Sequence, residues 1–173
     1  VGGLDAVVGI TASGNARYVC GALQEARRRG AATIAVCNTR PAALSAYADV
    51  SVIPIVGPEV IMGSTRMKAG TAQKMVLNML TTASMIQLGK TYRNLMVDLV
   101  PSNQKLLDRS IRIVMAAAAV SRERAEQSLR LTGGDTKAAI VMLETGCSPS
   151  EASHALKRTG GVTRKAILSL QRE

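Results

Sequence analysis

Apolar residues follow two different periods along this chain, and the change from one to the other organises it. Residues 4–10 (LDAVVGI), 32–37 (ATIAVC) and 49–55 (DVSVIPI) are short, nearly continuous apolar runs with β-branched residues. Such runs read as strands buried on both faces. Between the first two, residues 15–29 place Val19, Leu23 and Ala26 on one helical face and end in Arg27, Arg28 and Arg29 before Gly30. Cations in a last turn suit the helix dipole, and glycine ends the helix. Residues 42–48 predict a shorter helix. Strand, helix, strand, helix, strand predicts a parallel sheet flanked by helices. Three strands are few for this architecture, and Val1 stands almost directly before the first. The chain is therefore read as part of a longer protein whose first strands lie upstream.

Beyond residue 57 the period becomes helical. A polar loop, 57–68, leads into a helix predicted over 65–88. No charge occurs between Lys74 and Lys90, and Met75, Val76, Met79, Leu80, Ala83 and Ile86 form a wide apolar stripe. The polar residues Asn78, Thr81, Thr82, Ser84 and Gln87 and the short length exclude a membrane span. The stripe predicts burial against the sheet or in a subunit interface. From Ser102 onward the pattern is helical. Ser102 is expected to cap a helix to about Ala119, Ser121 one ending at Gly133-Gly134, and Asp135 one ending at Gly146. Ser148-Pro149-Ser150-Glu151 reads as a capping box with proline at the first helical position. A last helix follows Gly160-Gly161. The expected division is 1–120, a partial α/β domain with following helices, and 121–173, a small all-α bundle.

Composition narrows the partners. The 173 residues carry 22 basic and 12 acidic side chains, a formal charge of +10. That excess favours an anionic ligand. Aromatics are 2% of the chain, so base stacking on single-stranded nucleic acid has almost no platform. The 121–173 segment holds nine basic and six acidic residues and no Arg/Asn/Gln-rich recognition face. Both facts argue against nucleic acid as a partner. Three scattered cysteines (Cys20, Cys37, Cys147) and one histidine (His154) suit neither a disulfide framework nor a metal site. The reading is a reducing, cytoplasmic compartment, no membrane and no metal site. Cys20 and Cys37 are expected in the core, and His154 on a solvated helix.

Parallel α/β sheets bind ligands outside the carboxyl ends of their strands. Two loops lie there. The first is Thr11-Ala12-Ser13-Gly14, whose hydroxyls and glycine suit an anion at a helix start. The second spans 57–74 (GPEVIMGSTRMKAGTAQK) and brings one carboxylate, Glu59, together with Ser64, Thr65, Thr71, Arg66, Lys68 and Lys74. The candidate ligand-binding residues are Ser13, Gly14, Glu59, Ser64, Thr65, Arg66 and Lys68.

The second loop resembles the signature of the N-acetylmuramic acid 6-phosphate etherases and the related glucokinase regulatory proteins. Gly57, Pro58, Glu59, Gly63, Ser64, Thr65, Arg66, Lys68 and Lys74 fall where that pattern places them. The resemblance continues through VLNML (76–80), LGK (88–90), NLMVD (94–98), AIVML (139–143) and the Gly160-Gly161 to Arg164 segment. It implies a sugar isomerase (SIS) fold, with these strands as the last three of a five-stranded parallel sheet. A ubiquitin-associated-like helical domain would follow.

The implied reaction is cleavage of the D-lactyl ether of N-acetylmuramic acid 6-phosphate, without metal or cofactor, in a homodimer whose sites are completed across subunits. The family's first phosphate loop and two acid/base glutamates would lie upstream. No catalytic residue is therefore assigned within this chain, and Glu59 is carried over as a site-lining residue only. In the loop that carries Ser13, the family has Arg-Thr-Pro where this chain has Asn15, Ala16 and Arg17. The alternative is a non-catalytic sugar-phosphate-binding regulatory protein, which would keep both loops and need no acid/base pair.

Overall fold

The three apolar runs form parallel strands β1 (Ala6–Ile10), β2 (Ala32–Val36) and β3 (Val50–Val52) in the computed structural model, which describes residues 1–172. They pair in the order β1-β2-β3, with Ala6 opposite Ala32 and Ile34 opposite Val50. Helix α1 (Arg17–Arg28) and a 3-10 helix (Ala43–Tyr47) make the two crossovers. Leu23 of α1, Ala35 of β2 and Leu44 of the 3-10 helix are fully buried together, with Val7, Val19, Cys20, Tyr47 and Ala48 against them. Burying each leucine contributes about 1.5–3 kcal/mol. Gly9 permits the close approach of α1: a Cβ there would lie 2.9 Å from Leu23 and 3.0 Å from Val19.

β1 and β3 are shorter than their apolar runs, each for a local reason. Asp5 N–H donates to the Gly2 carbonyl and Gly2 N–H to the Asp5 carboxylate. This turn keeps Leu4 and Asp5 out of β1. Pro54 has no N–H to give a ladder, so β3 ends early. At the amino ends of the strands, the Asp49 carboxylate accepts from both the backbone N–H and the hydroxyl of Thr33, at 2.8 Å each. These bonds hold its pKa below the ordinary value.

The long helix, α2 (Lys68–Gln87), begins three residues later than the pattern predicts. Along it only Ala69 and Val76 are buried, whereas Met75, Met79, Met85 and Ile86 are exposed. Of the two expected placements for the stripe, burial against the sheet is not seen for these residues, and the other is a subunit interface.

By contact the chain divides into two compact units, Val1–Thr81 and Thr82–Glu173. The second contains a small antiparallel ladder, β4 (Thr91–Tyr92) with β5 (Leu95–Met96), that no sequence period announces. Five helices follow: α3 (Gln104–Ala118), α4 (Arg122–Leu131), α5 (Thr136–Thr145), α6 (Pro149–Arg158) and α7 (Thr163–Leu170). Asn103, not Ser102, caps α3, accepting from Leu106 N–H. Ser121 and Asp135 cap α4 and α5, and the capping box of Ser148 and Glu151 is complete. α5 is central: it packs on α3, α4, α6 and α7. Its Ala138, Ala139, Ile140 and Val141 join Val114, Ala125, Ala152 and Ala166 in one core.

Helices α4–α7 are a duplicated hairpin. At an offset of 27 residues, Leu129, Thr132, Gly133, Gly134, Thr136, Ala139, Ile140 and Leu143 recur as Leu156, Thr159, Gly160, Gly161, Thr163, Ala166, Ile167 and Leu170. The bonding recurs too. Gly134 N–H donates to the Leu129 carbonyl and Gly161 N–H to the Leu156 carbonyl, both at 2.8 Å. The Thr132 and Thr159 hydroxyls each donate back into the helix before them.

Candidate functional site

The loops after all three strands meet at the carboxyl ends of the sheet, around a cavity of about 230 Å³. Ala12 and Ser13 come from the first loop, Asn38 and Thr39 from the second, and Val56, Gly57, Glu59, Ser64 and Thr65 from the third, with Ala69 of α2. This is where the topology of a parallel sheet places a ligand. Larger concavities lie in the second unit, but the one at Arg122 and Glu126 is lined by charges already paired with each other.

Four of the seven residues singled out from the sequence line this cavity: Ser13, Glu59, Ser64 and Thr65. The Ser13 hydroxyl accepts from Asn15 N–H at 3.3 Å, and the Ser64 hydroxyl from Arg66 N–H at 3.3 Å. Gly14 sits behind the wall with φ +70° and its carbonyl accepts from Leu44 N–H. Arg66 and Lys68 are exposed and do not line the cavity; Lys68 contributes its backbone N–H to Glu59.

Glu59 is the cap of α2. Its carboxylate accepts from Lys68 N–H at 3.1 Å and from Ala69 N–H at 3.0 Å. These backbone bonds, that of Ala69 first, hold its pKa below the ordinary 4.5. A carboxylate stabilised in this way stays ionised and is a weak base.

Asn38 and Thr39 were not among the sequence candidates. Asn38 is 6% exposed. Its amide Nδ2 donates to the Pro54 carbonyl at 3.1 Å, and its Oδ1 accepts from Gln73 Nε2 at 2.8 Å. The Thr39 hydroxyl donates to the Ser13 carbonyl at 2.8 Å. The signal that could have found them is the same topological rule, applied to the loop after β2. The residues that replace Arg-Thr-Pro in the first loop also have places: Asn15 Oδ1 accepts from Ala43 N–H, Ala16 precedes α1 and Arg17 begins it.

Cys37 is buried, Cys20 packs against the first core and His154 is exposed. Among the described residues no group of three or more His, Cys, Asp or Glu side chains is placed to hold a metal. No helix among them is long and apolar enough to cross a membrane.

Residues 1–83, a little under half of the chain, match the SIS domain, in keeping with the parallel sheet and its carboxyl-end cavity. The chain is similar in sequence to proteins named N-acetylmuramic acid 6-phosphate etherase. It is 59% identical over 136 residues to the enzyme of that name from Symbiobacterium thermophilum, covering 79% of this chain and 45% of the relative. Identity to those from Clostridium acetobutylicum and Mycolicibacterium smegmatis is 53% and 54% over the same length, 79% of this chain, and 45% and 46% of theirs. The chain thus spans a little under half the length of these relatives.

Proposed function

We propose that the complete protein carrying this chain is a carbon–oxygen lyase of amino-sugar recycling. It would convert N-acetylmuramic acid 6-phosphate and water to N-acetylglucosamine 6-phosphate and D-lactate, in the cytoplasm, without metal or cofactor. The supporting observation is the convergence of Ser13 with Glu59, Ser64 and Thr65 on one cavity, in a chain so similar to proteins of that name.

In this reading a base takes the proton at C2 of the open-chain sugar. The C3–O bond then breaks with departure of lactate, and water adds to the resulting double bond. Ser13, Gly14, Ser64 and Thr65 bind the sugar phosphate through hydroxyl and backbone groups, and Arg66 and Lys68 add positive charge at the rim. Glu59 shapes the wall. Its oxygens are taken by Lys68 and Ala69 N–H groups, so it does not serve as the base; a base must be free to reach the proton it takes. The acid/base pair belongs to glutamates outside this chain, and the 173 residues alone are inactive.

The exposed apolar residues of α2, Met75, Met79, Met85 and Ile86, suit a homodimer contact. The duplicated hairpins of 121–173 are the small ubiquitin-associated-like domain that follows the SIS part and its helices, 1–120. The test is Ser13→Ala and Ser64→Ala in the complete protein. Each is expected to raise KM for N-acetylmuramic acid 6-phosphate with little change in thermal stability. Unchanged KM in both variants would remove the cavity from the reading.

A further inference from the structure

Asn38 joins every loop that forms the cavity. Its backbone N–H donates to the Ala12 carbonyl at 3.0 Å, in the first loop. Its side chain holds the Pro54 carbonyl, where the third loop leaves β3, and Gln73 on α2. Gln73 lies four residues after Ala69, so the two share a helix face. Ala69 N–H is a donor to Glu59. The residue is thus connected by its carboxamide through α2 to the Glu59 wall, and by its backbone N–H through Ala12 to the Ser13 wall. The carboxamide's orientation is fixed: turned over, it would set oxygen against the Pro54 carbonyl and NH2 against the Gln73 NH2.

We propose that Asn38 is a positioning residue of the ligand site. It clamps the three carboxyl-end loops at the separation that lets Ser13 and the Ser64-Thr65 pair face a single ligand. The inference rests on the reading of this cavity as a sugar-phosphate site. Asparagine is the side chain the position requires. An aspartate has the same shape but no N–H for Pro54, and its charge faces a carbonyl oxygen. The Asp49–Thr33 tie supplies a natural control. It is a polar tie of the same kind between the same two strands, at their amino ends, and it touches no residue of the cavity wall.

The experiment compares Asn38→Asp, Gln73→Leu and Asp49→Asn in the complete protein. Affinity for N-acetylglucosamine 6-phosphate is measured by calorimetry, and amide exchange is followed over residues 12–15 and 57–69 without ligand. The expected result for Asn38→Asp is about a tenfold rise in Kd, as small misplacements of binding groups produce, with faster exchange over residues 57–69, whereas residues 12–15 keep the backbone bond to residue 38. Asp49→Asn is expected to lower thermal stability with neither effect. Gln73→Leu removes one arm of the clamp without adding a charge, and gives the same result in weaker form should the aspartate variant fail to fold. Loop exchange unchanged in the Asn38 and Gln73 variants, or Kd raised as much by Asp49→Asn, would overturn the proposal. Should the unaltered protein bind no sugar phosphate, the functional reading falls, while the loop exchange still decides the clamp.

Discussion

Glu59 accepts the Ala69 backbone N–H at 3.0 Å across nine intervening residues. That bond closes the loop carrying Ser64 and Thr65 onto the start of α2. It makes the one acid of the cavity wall an anchor, ionised and occupied.

Glu59→Gln is expected to loosen this closure. A neutral amide accepts more weakly than a carboxylate at a helix N-terminus. Amide exchange at Lys68 and Ala69 should become faster and sugar-phosphate affinity should fall. The pH dependence has a definite sign. The folded pKa lies below the ordinary 4.5, so the anchor is fully present above 4.5 and is lost as pH falls below it toward the lowered value. Loop exchange followed from pH 6 downward should show this in the unaltered protein and not in Glu59→Gln.

Gly14→Ala should damage the first loop. The glycine has φ +70°, and a Cβ would stand 2.6 Å from the Ala42 Cβ. The left-handed conformation alone costs a non-glycine residue about 1–2 kcal/mol, and relieving the contact would disturb the Leu44 N–H bond to the Gly14 carbonyl. Chemical denaturation should show a loss of at least that size. An unchanged midpoint would contradict the loop geometry.

Asp98 is shared by two lysines of the second unit. It accepts from Lys137 at 2.6 Å and from Lys90. The Lys137 bond first, then that of Lys90, lowers its pKa below 3.8. Asp98→Asn leaves two lysines without their shared partner and is expected to cost about 1–2 kcal/mol. In the unaltered protein the contribution is complete above pH 3.8 and is lost as pH falls below it toward the lowered value. Denaturation at pH 7 and at pH 3 should show the variant's deficit shrinking at the lower pH.

The duplicated hairpins each bury a threonine hydroxyl, Thr136 and Thr163, that has no hydrogen-bond partner. A buried donor left unpaired costs about 1–3 kcal/mol. Thr136→Val and Thr163→Val keep the side-chain shape and remove that cost. Each is expected to leave stability unchanged or raise it by about 1 kcal/mol. A loss above that in either variant would mean the hydroxyl has a partner.

The sequence reading reached the elements more easily than their ends. Continuous apolar runs announce β1, β2 and β3 because strands buried on both faces need no polar positions. Their ends depend on the Gly2–Asp5 turn and on Pro54, which apolar periodicity does not register. The two-residue strands of the 91–96 ladder are too short to show any period. In the site, Ser13, Glu59, Ser64 and Thr65 were legible as polar residues gathered at strand ends. Asn38 was not: beside Thr39, Arg40 and Pro41 it reads as an ordinary turn residue. Its importance lies in Pro54 and Gln73, 16 and 35 residues away. The separation of Arg66 and Lys68 from the cavity was equally hidden, since spacing along a loop does not say which side chains turn inward.

The most direct measurement is D-lactate release from N-acetylmuramic acid 6-phosphate, with the complete protein run beside these 173 residues alone. The account predicts lactate from the complete protein and none from the shorter chain. No lactate from the complete protein under conditions where it binds the sugar phosphate would contradict the lyase reading and leave a sugar-phosphate sensor. Lactate from the 173 residues alone would contradict the assignment of the acid/base pair to the rest of the protein.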